Sequence, residues 1–574
     1  MQAFAPLRIK LYRRLWITSV LFGVGHTLQV VAGNWLMLEL TGSPLWVGLM
    51  VASPHLPLLL LAIPSGAMAD TIDRRRVLML SAVLMGVSAL GMFSLYLVGS
   101  LTAGWLLALG ILVGIGIAFY VPAWQASIQN LVPKSLLSRA ISLNSASGAV
   151  AMSIGPALGG VLVAAFGFAV PAAVAAVGYV VLLLSVLSVR RARWSGDTGT
   201  AMRTAMATGL RYMRFSRGYR WLLMVTAMFG ASSAALRAML PSITEDRLLE
   251  GASTYGLLLG AMGVGALVGA LLRERAAQLL RRRVVPVAIG SYGLVGVGVG
   301  LSQSLPLTFA AMVVAGVAWT WTLTTLNSTV QLLAPAWVRA RAMSIYILAL
   351  FGLVPIGTIA AGVLGDLIGA APALVVSSVA VLLLAVTLLR RPMVETTDLP
   401  APDPVGTRPT DGHPDVRSDH RVMVSTVWTV DKDRLVEFVD AMETMRRIRM
   451  RTGAFRWSLY RDVVQPLRFT EVFEVHTWRQ HLQQHERLDA AALVGIRHAV
   501  SFDVGGGPKS VHLVGADRDS VRDPAWSSVE LSSHDEMHRR DGSIEVGSVD
   551  PEAMDGHPQR EQPADRSSTR QDES

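Results

Sequence analysis

The 574-residue chain contains no cysteine. Disulfide frameworks, thiolate metal sites and cysteine nucleophiles are therefore excluded. Charge is scarce too: 16% of residues are charged, against roughly 25% in a soluble globular chain. No Gly-x-x-x-x-Gly-Lys-Ser/Thr phosphate loop occurs, which argues against work driven by a nucleoside triphosphate. Aspartate and glutamate are missing from the middle of every long apolar run; Glu39, Asp70 and Asp366 all lie near ends. No small-x-small cleavage site marks the first run, so it reads as a membrane helix and not as a removable leader.

What is abundant is apolar sequence. Hydrophobic residues make up 52% of the chain and crowd the region before about Leu389. About 20 such residues span ~30 Å of hydrocarbon as a helix. Runs at 15–38, 45–69, 77–99, 103–126, 140–166 and 168–189 meet this length. After a basic stretch, so do 221–243, 254–273, 284–302, 305–333, 341–367 and 370–389. The expected fold class is an all-α membrane protein of twelve transmembrane helices in two six-helix halves, an arrangement typical of secondary transporters.

The net charge of +10 sits in alternate loops. These hold Arg8, Lys10, Arg13 and Arg14; Arg74–Arg76; Lys134 and Arg139; the Arg190–Arg220 cluster; Arg273–Arg283; and Arg339 with Arg341. Such alternation predicts an inner (plasma) membrane protein with both termini cytoplasmic. It also accounts for the positive charge without a nucleic-acid partner. Gly256, Gly260, Gly263, Gly265 and Gly269 space a close-packing face along the eighth run. Pro54, Pro57 and Pro64 predict kinks in the second.

After about Arg390 the sequence changes solvent. Residues 392–420 are rich in Pro, Asp and Thr and read as a linker. From 421 to 515, strands and amphipathic helices alternate in the order β-α-β-β-α-β, the ferredoxin-like α+β arrangement. Residues 516–574 carry too few apolar groups to fold and are expected to be disordered. The expected domains are thus 1–189, the central loop 190–220, 221–391, the linker 392–420, 421–515 and the tail 516–574.

Polar side chains inside apolar runs are costly and mark candidate sites. His26, Gln29 and Asn34 lie in the first run, His55 in the second and Arg237 in the outer part of the seventh. Gln125, Asn144, Asn327 and Gln331 add polar surface in the fourth, fifth and tenth. His26 is the candidate proton carrier, because histidine titrates near neutrality. Its bland alternative is an interhelical hydrogen bond. Arg237 either attracts an anionic cargo or extends to the outer interface. In the soluble domain His481 and His485 stand one helical turn apart, but no third ligand at a fixed spacing accompanies them, so no metal is expected.

Two motifs sharpen the reading. Gly66, Asp70, Asp73, Arg74 and Arg75 place a glycine, carboxylates and a basic cluster between the second and third runs. The stretch resembles the gating motif of the major facilitator superfamily. Gly155, Pro156, Gly159 and Gly160 resemble that superfamily's antiporter motif in helix five. Further runs, including Asn144 with Ser145 and Ser147, and Asn327 through Gln331, Pro335, Trp337, Arg339 and Arg341, resemble its enterobactin-exporter-like branch, the transmembrane secretion effectors. Thr71 and Met152 depart from it, standing where that branch carries arginine. Residues 421–515 are similar to the dimeric α/β-barrel domain that ends many of these proteins, through Arg449–Asp462 and Trp478–Arg487.

The resemblance implies export of a small molecule, such as a siderophore or a drug-like natural product, by alternating access with proton antiport. The expected partners are the cargo, protons, the lipid bilayer and, through the C-terminal domain, a second copy of the chain. It implies no cofactor and no enzymatic activity. The alternative is a membrane-anchored sensor or enzyme whose C-terminal domain binds or modifies the cargo.

Overall fold

The computed structural model describes residues 2–61, 73–188, 212–335, 338–393 and 421–515. Gly66, Asp70, Pro64, Trp337, most of the central loop, the linker and the tail fall outside these. The chain forms two compact units, one helical and one built around a sheet.

The helical unit begins with α1 (Lys10–Thr41), which ends where Gly42 takes φ 59° and returns its N–H to the Leu38 carbonyl. Next comes α2 (Pro44–Ala52), its N-terminus capped by the Ser43 side chain. It turns at Ser53–His55, beside Pro54, then runs helical to Leu61, as a proline's missing donor dictates. There follow α3 (Arg74–Leu97), α4 (Ala103–Leu131), α5 (Leu137–Phe166) and α6 (Ala169–Leu187). Beyond the central loop lie α7 (Arg217–Asp246), α8 (Ala252–Leu280), α9 (Val284–Leu301) and α10 (Leu305–Leu333). The last three helices are α11 (Arg339–Gly352), α12 (Val354–Ile368) and α13 (Ala370–Arg390). Pro355 enters at the start of α12, where a helix tolerates it. Among the described residues, ten helical segments are long and apolar enough to cross a membrane, one of them joining α8 to α9 and another running through α11 and α12.

Small residues set where the helices meet. A Cβ built on Gly160 of α5 would lie 2.6 Å from the Gly256 Cα of α8, and one on Gly256 would lie 2.5 Å from the Gly160 Cα. Farther along, a Cβ on Gly263 would strike the Ser153 Cα. The antiporter-like motif is therefore a backbone-to-backbone contact between an early and a late helix. Its other glycines serve α1: Gly155 makes room for Thr27, and Gly159 for the Leu28 backbone. The opposite face of α8 packs on α10 through Gly265 and Gly269. In lipid, where burial of apolar surface drives little, such close packing supplies the contact energy.

In the second unit, β1 (Val422–Thr429), α14 (Leu435–Thr452), β2 (Arg456–Arg461), β3 (Arg468–Val475), α15 (Trp478–Glu486), α16 (Ala490–Val500) and β4 (Lys509–Val514) follow in order. The four strands form an antiparallel sheet in the order β2-β3-β1-β4. Strand β1 alternates buried and half-buried residues along its length, as a sheet covered on one face requires. Its buried Val422, Val424 and Trp428 point toward the helices' apolar residues, among them Phe438.

Candidate functional site

Three of the expected polar residues converge inside the helical unit. His26, Gln29 and Asn34 of α1 line one pocket with Met50 and Ser53 of α2 and its following turn, and Met92 of α3. Its open space is about 20 Å³, room for a water molecule and no more. This conformation therefore leaves the pocket little free volume. A larger groove of about 330 Å³ lies between α9 and α10, but its lining is apolar except for Ser291 and Ser302.

The pocket's hydrogen bonds run in a chain. The Tyr179 hydroxyl donates to Gln29 Oε1 at 2.8 Å, and Gln29 Nε2 donates to the Met92 sulfur at 3.1 Å. His26 Nδ1 lies 3.2 Å from the same hydroxyl. Tyrosine has one hydroxyl hydrogen, and here Gln29 receives it. His26 must therefore donate through Nδ1, which leaves Nε2 as the ring's proton-accepting nitrogen. Deeper along α1, Asn34 Nδ2 donates to the Tyr255 hydroxyl at 3.3 Å, while its Oδ1 is buried without a donor.

Arg237 packs against an aromatic ring of α10. It is half-buried on α7, with its guanidinium carbon 4.9 Å from the Trp319 ring centre. Its Nε and Nη2 are buried with no hydrogen-bond partner. His55, Tyr255 and Tyr292 lie within its electrostatic reach. His55 stacks on Phe351 at 6.1 Å and approaches the Val51 carbonyl at 3.1 Å.

The other candidates lie apart from this pocket. Gln125 is exposed near the end of α4. Asn144 accepts from the Trp124 indole at 2.8 Å, a bond between α4 and α5. Asn327 and exposed Gln331 bond to each other along α10 at 2.5 Å. Of the gating motif, Asp73 caps α3 through the Arg75 N–H, and Arg75 Nη2 reaches the Leu187 carbonyl at the end of α6. A cation on those unpaired carbonyls is favourable for both groups. Arg339 does the same for Ala334 after α10, and Arg341 is half-buried. The tyrosines and Trp319 were invisible to a search for charged and amide side chains. The available signal was an aromatic with a polar tip inside an apolar run.

In the second unit the His481, His485 and His512 rings cluster, with centroids 4.9 and 4.7 Å from that of His481. Among the described residues no group of three potential ligands is arranged to hold a metal. Burial, then the neighbouring histidines and Arg449, holds His481 well below the usual histidine range. Burial and Arg449 bring His485 down to about 4. Beside them Arg449 pairs with fully buried Glu471 at 3.2 Å, and the Trp457 indole donates to the same carboxylate at 2.9 Å.

Comparison with known proteins places this architecture. The family model described as "Transmembrane secretion effector" matches residues 1–520. The chain belongs to this family. The transmembrane secretion effectors are transporters of the major facilitator type, not enzymes. The chain is 26% identical over 390 residues to the multidrug efflux pump Tap of Mycolicibacterium fortuitum, covering 66% of this chain and 94% of that one. It is 25% identical over 280 residues to the enterobactin exporter EntS of Salmonella typhi, 48% of this chain and 63% of that one. Among solved structures, a bacterial homologue of the human lysosomal transporter Spinster, inward-facing and unoccupied, aligns with TM-score 0.53 at 18% identity. That alignment covers 67% of this chain and 95% of the homologue.

Proposed function

We propose that this secretion effector exports a small molecule, a siderophore or drug-like natural product, by alternating access with proton antiport. The observation that carries the reading is the small polar pocket on α1, whose His26 shares a hydrogen bond with Tyr179 through Nδ1 and keeps Nε2 as its accepting nitrogen. The efflux roles of Tap and EntS support it. His26 is the proton carrier, since no carboxylate occurs near the middle of a long apolar run. Twelve crossings follow if α8 and α9 each span and α5 spans as well. The alternation of basic loops then sets both termini in the cytoplasm of an inner-membrane protein. The sheet order supports a ferredoxin-like C-terminal domain through which two copies dimerise, and the domain boundaries are those drawn from the sequence.

Energised everted vesicles loaded with a panel of siderophores and fluorescent drugs test this. Accumulation abolished by a protonophore and by His26→Ala is the expected result. Transport that persists with the protonophore removes the proton, and His26 with it.

A second reading, that the C-terminal domain senses the cargo, is favoured by the buried Glu471 Oε2, which lacks a partner beside the buried His481 and Gln484. Deleting residues 392–574 distinguishes the two. An accessory domain leaves export running, and an obligatory sensor stops it.

A further inference from the structure

Among the described residues the charge on Arg237 has no acidic counterpart. Among the described residues no ion pair reaches it, and two of its nitrogens are buried without an acceptor. The nearest acids along α7 are Glu245 and Asp246, about 12 Å farther on at 1.5 Å per residue. The Trp319 face offers a partial substitute. It leaves the in-plane N–H groups unsatisfied, and those form the fork that matches a carboxylate. A buried, unpaired guanidinium is costly and is retained where something else supplies the negative charge.

The surroundings narrow what that is. Asn34, 5% exposed, presents Oδ1 to no donor while its Nδ2 is committed to Tyr255. Trp35 stacks on Tyr255 and Tyr292 lies against Trp319, both at ring separations of 6.0 Å. Tyr255 of α8 links these groups: Asn34 of α1 bonds to its hydroxyl, and Arg237 of α7 lies within its electrostatic reach.

We propose that the cargo is an organic anion: a flat aromatic molecule whose carboxylate or equivalent pairs with Arg237 and whose hydroxyl or N–H serves Asn34. This rests on the export reading and specifies its substrate class. Arg237 is then a specificity-determining residue, and selectivity arises because a neutral analogue leaves the guanidinium buried and unpaired.

The test uses the full chain in nanodiscs of phosphatidylcholine alone, which removes anionic lipid headgroups as a source of counter-charge. Matched probes are 1-hydroxy-2-naphthoate against its amide and salicylate against salicylamide, with ethidium as the cation. The acids are expected to bind at least about tenfold more tightly than the amides, the discrimination of one charged hydrogen bond. Arg237→Gln should erase that preference and Arg237→Lys keep part of it. Acids and amides binding equally, an unchanged preference in Arg237→Gln, or binding of ethidium alone would overturn the proposal. So would an acid preference that appears only when anionic lipid is added. Efflux of the same probes from everted vesicles separates the two readings. Export of neutral or cationic probes without anion preference sinks this inference alone, whereas no export and no binding by folded protein sinks both.

Discussion

The Asp366 carboxylate at the end of α12 accepts hydrogen bonds from the Ser43 hydroxyl at 2.9 and 3.0 Å, and from the Leu45 N–H at 3.0 Å. One acidic residue of a late helix thus completes the cap of an early one, at the positive end of its dipole. Beside it α2 and α12 close up, with a Cβ on Gly48 falling 2.5 Å from the Thr358 carbonyl oxygen. Because the site is exposed, removing the carboxylate should cost about 1–2 kcal/mol. Asp366→Ala is expected to shift the balance away from the state closed at this end by about 5- to 30-fold. Spin labels at Leu40→Cys and Leu367→Cys, both exposed, report it as a longer, broader distance distribution. An unchanged distribution would show that the carboxylate holds nothing.

Glycine substitutions should divide sharply by environment. Gly256→Ala places a methyl group into the α5 backbone and should destabilise the helical unit by about 1–3 kcal/mol. Gly148→Ala meets nothing within 4 Å, so the helix propensity gain of up to ~1 kcal/mol should raise stability. Thermal unfolding of the two purified variants checks both signs.

His481 and His485 make the C-terminal domain acid-sensitive. Both are bases whose folded pKa is lowered, to about 4 for His485, against ~6.5 when unfolded. The unfolded state therefore binds more protons between those values. Stability is whole above about pH 6.5 and falls as the pH drops toward 4. From pH 6.5 to 5 the loss from His485 alone is about 2 kcal/mol. The chain has no cysteine of its own, so buried Ala499→Cys reports opening through its labelling rate relative to urea-unfolded chain. His485→Gln should flatten the pH dependence, and a flat profile in the wild-type background would contradict this account.

The Arg449–Glu471 pair should be asymmetric under mutation. Glu471 is 0% exposed and Arg449 also lies over the Phe473 ring at 4.5 Å. Glu471→Ala removes the buried carboxylate from the Arg449 guanidinium and leaves the Trp457 indole N–H without its acceptor, at about 3–5 kcal/mol. Replacing both residues by apolar ones of similar volume should cost much less. The same Ala499→Cys labelling rate ranks the variants.

The membrane helices were legible because length and apolarity are local properties. The runs at 103–126 and 305–333 correspond to α4 and α10. The turn at Ser53–His55 was legible from Pro54. The site was legible only in part. His26, Gln29 and Asn34 share a pocket because they sit on one helix, and α1 alone brings them together. Gln125 lies exposed near the end of α4, apart from that pocket, because it sits on a different helix. Asn327 and Gln331 bond to each other four residues apart along one helix. The setting of Arg237 was not legible, because Trp319 reaches it only through tertiary packing. His512 likewise joins His481 only through the pairing of β4 with β1.

The contact between Gly160 and Gly256 also decides what cannot move sideways. Two main chains that touch leave no gap for a hydrocarbon tail, so a lipophilic molecule dissolved in the bilayer cannot slip between α5 and α8 at that level. Lateral entry at that level must use another pair of helices. Nor can either position compensate for the other over evolutionary time: a side chain on one meets backbone, which no substitution at its partner can trim.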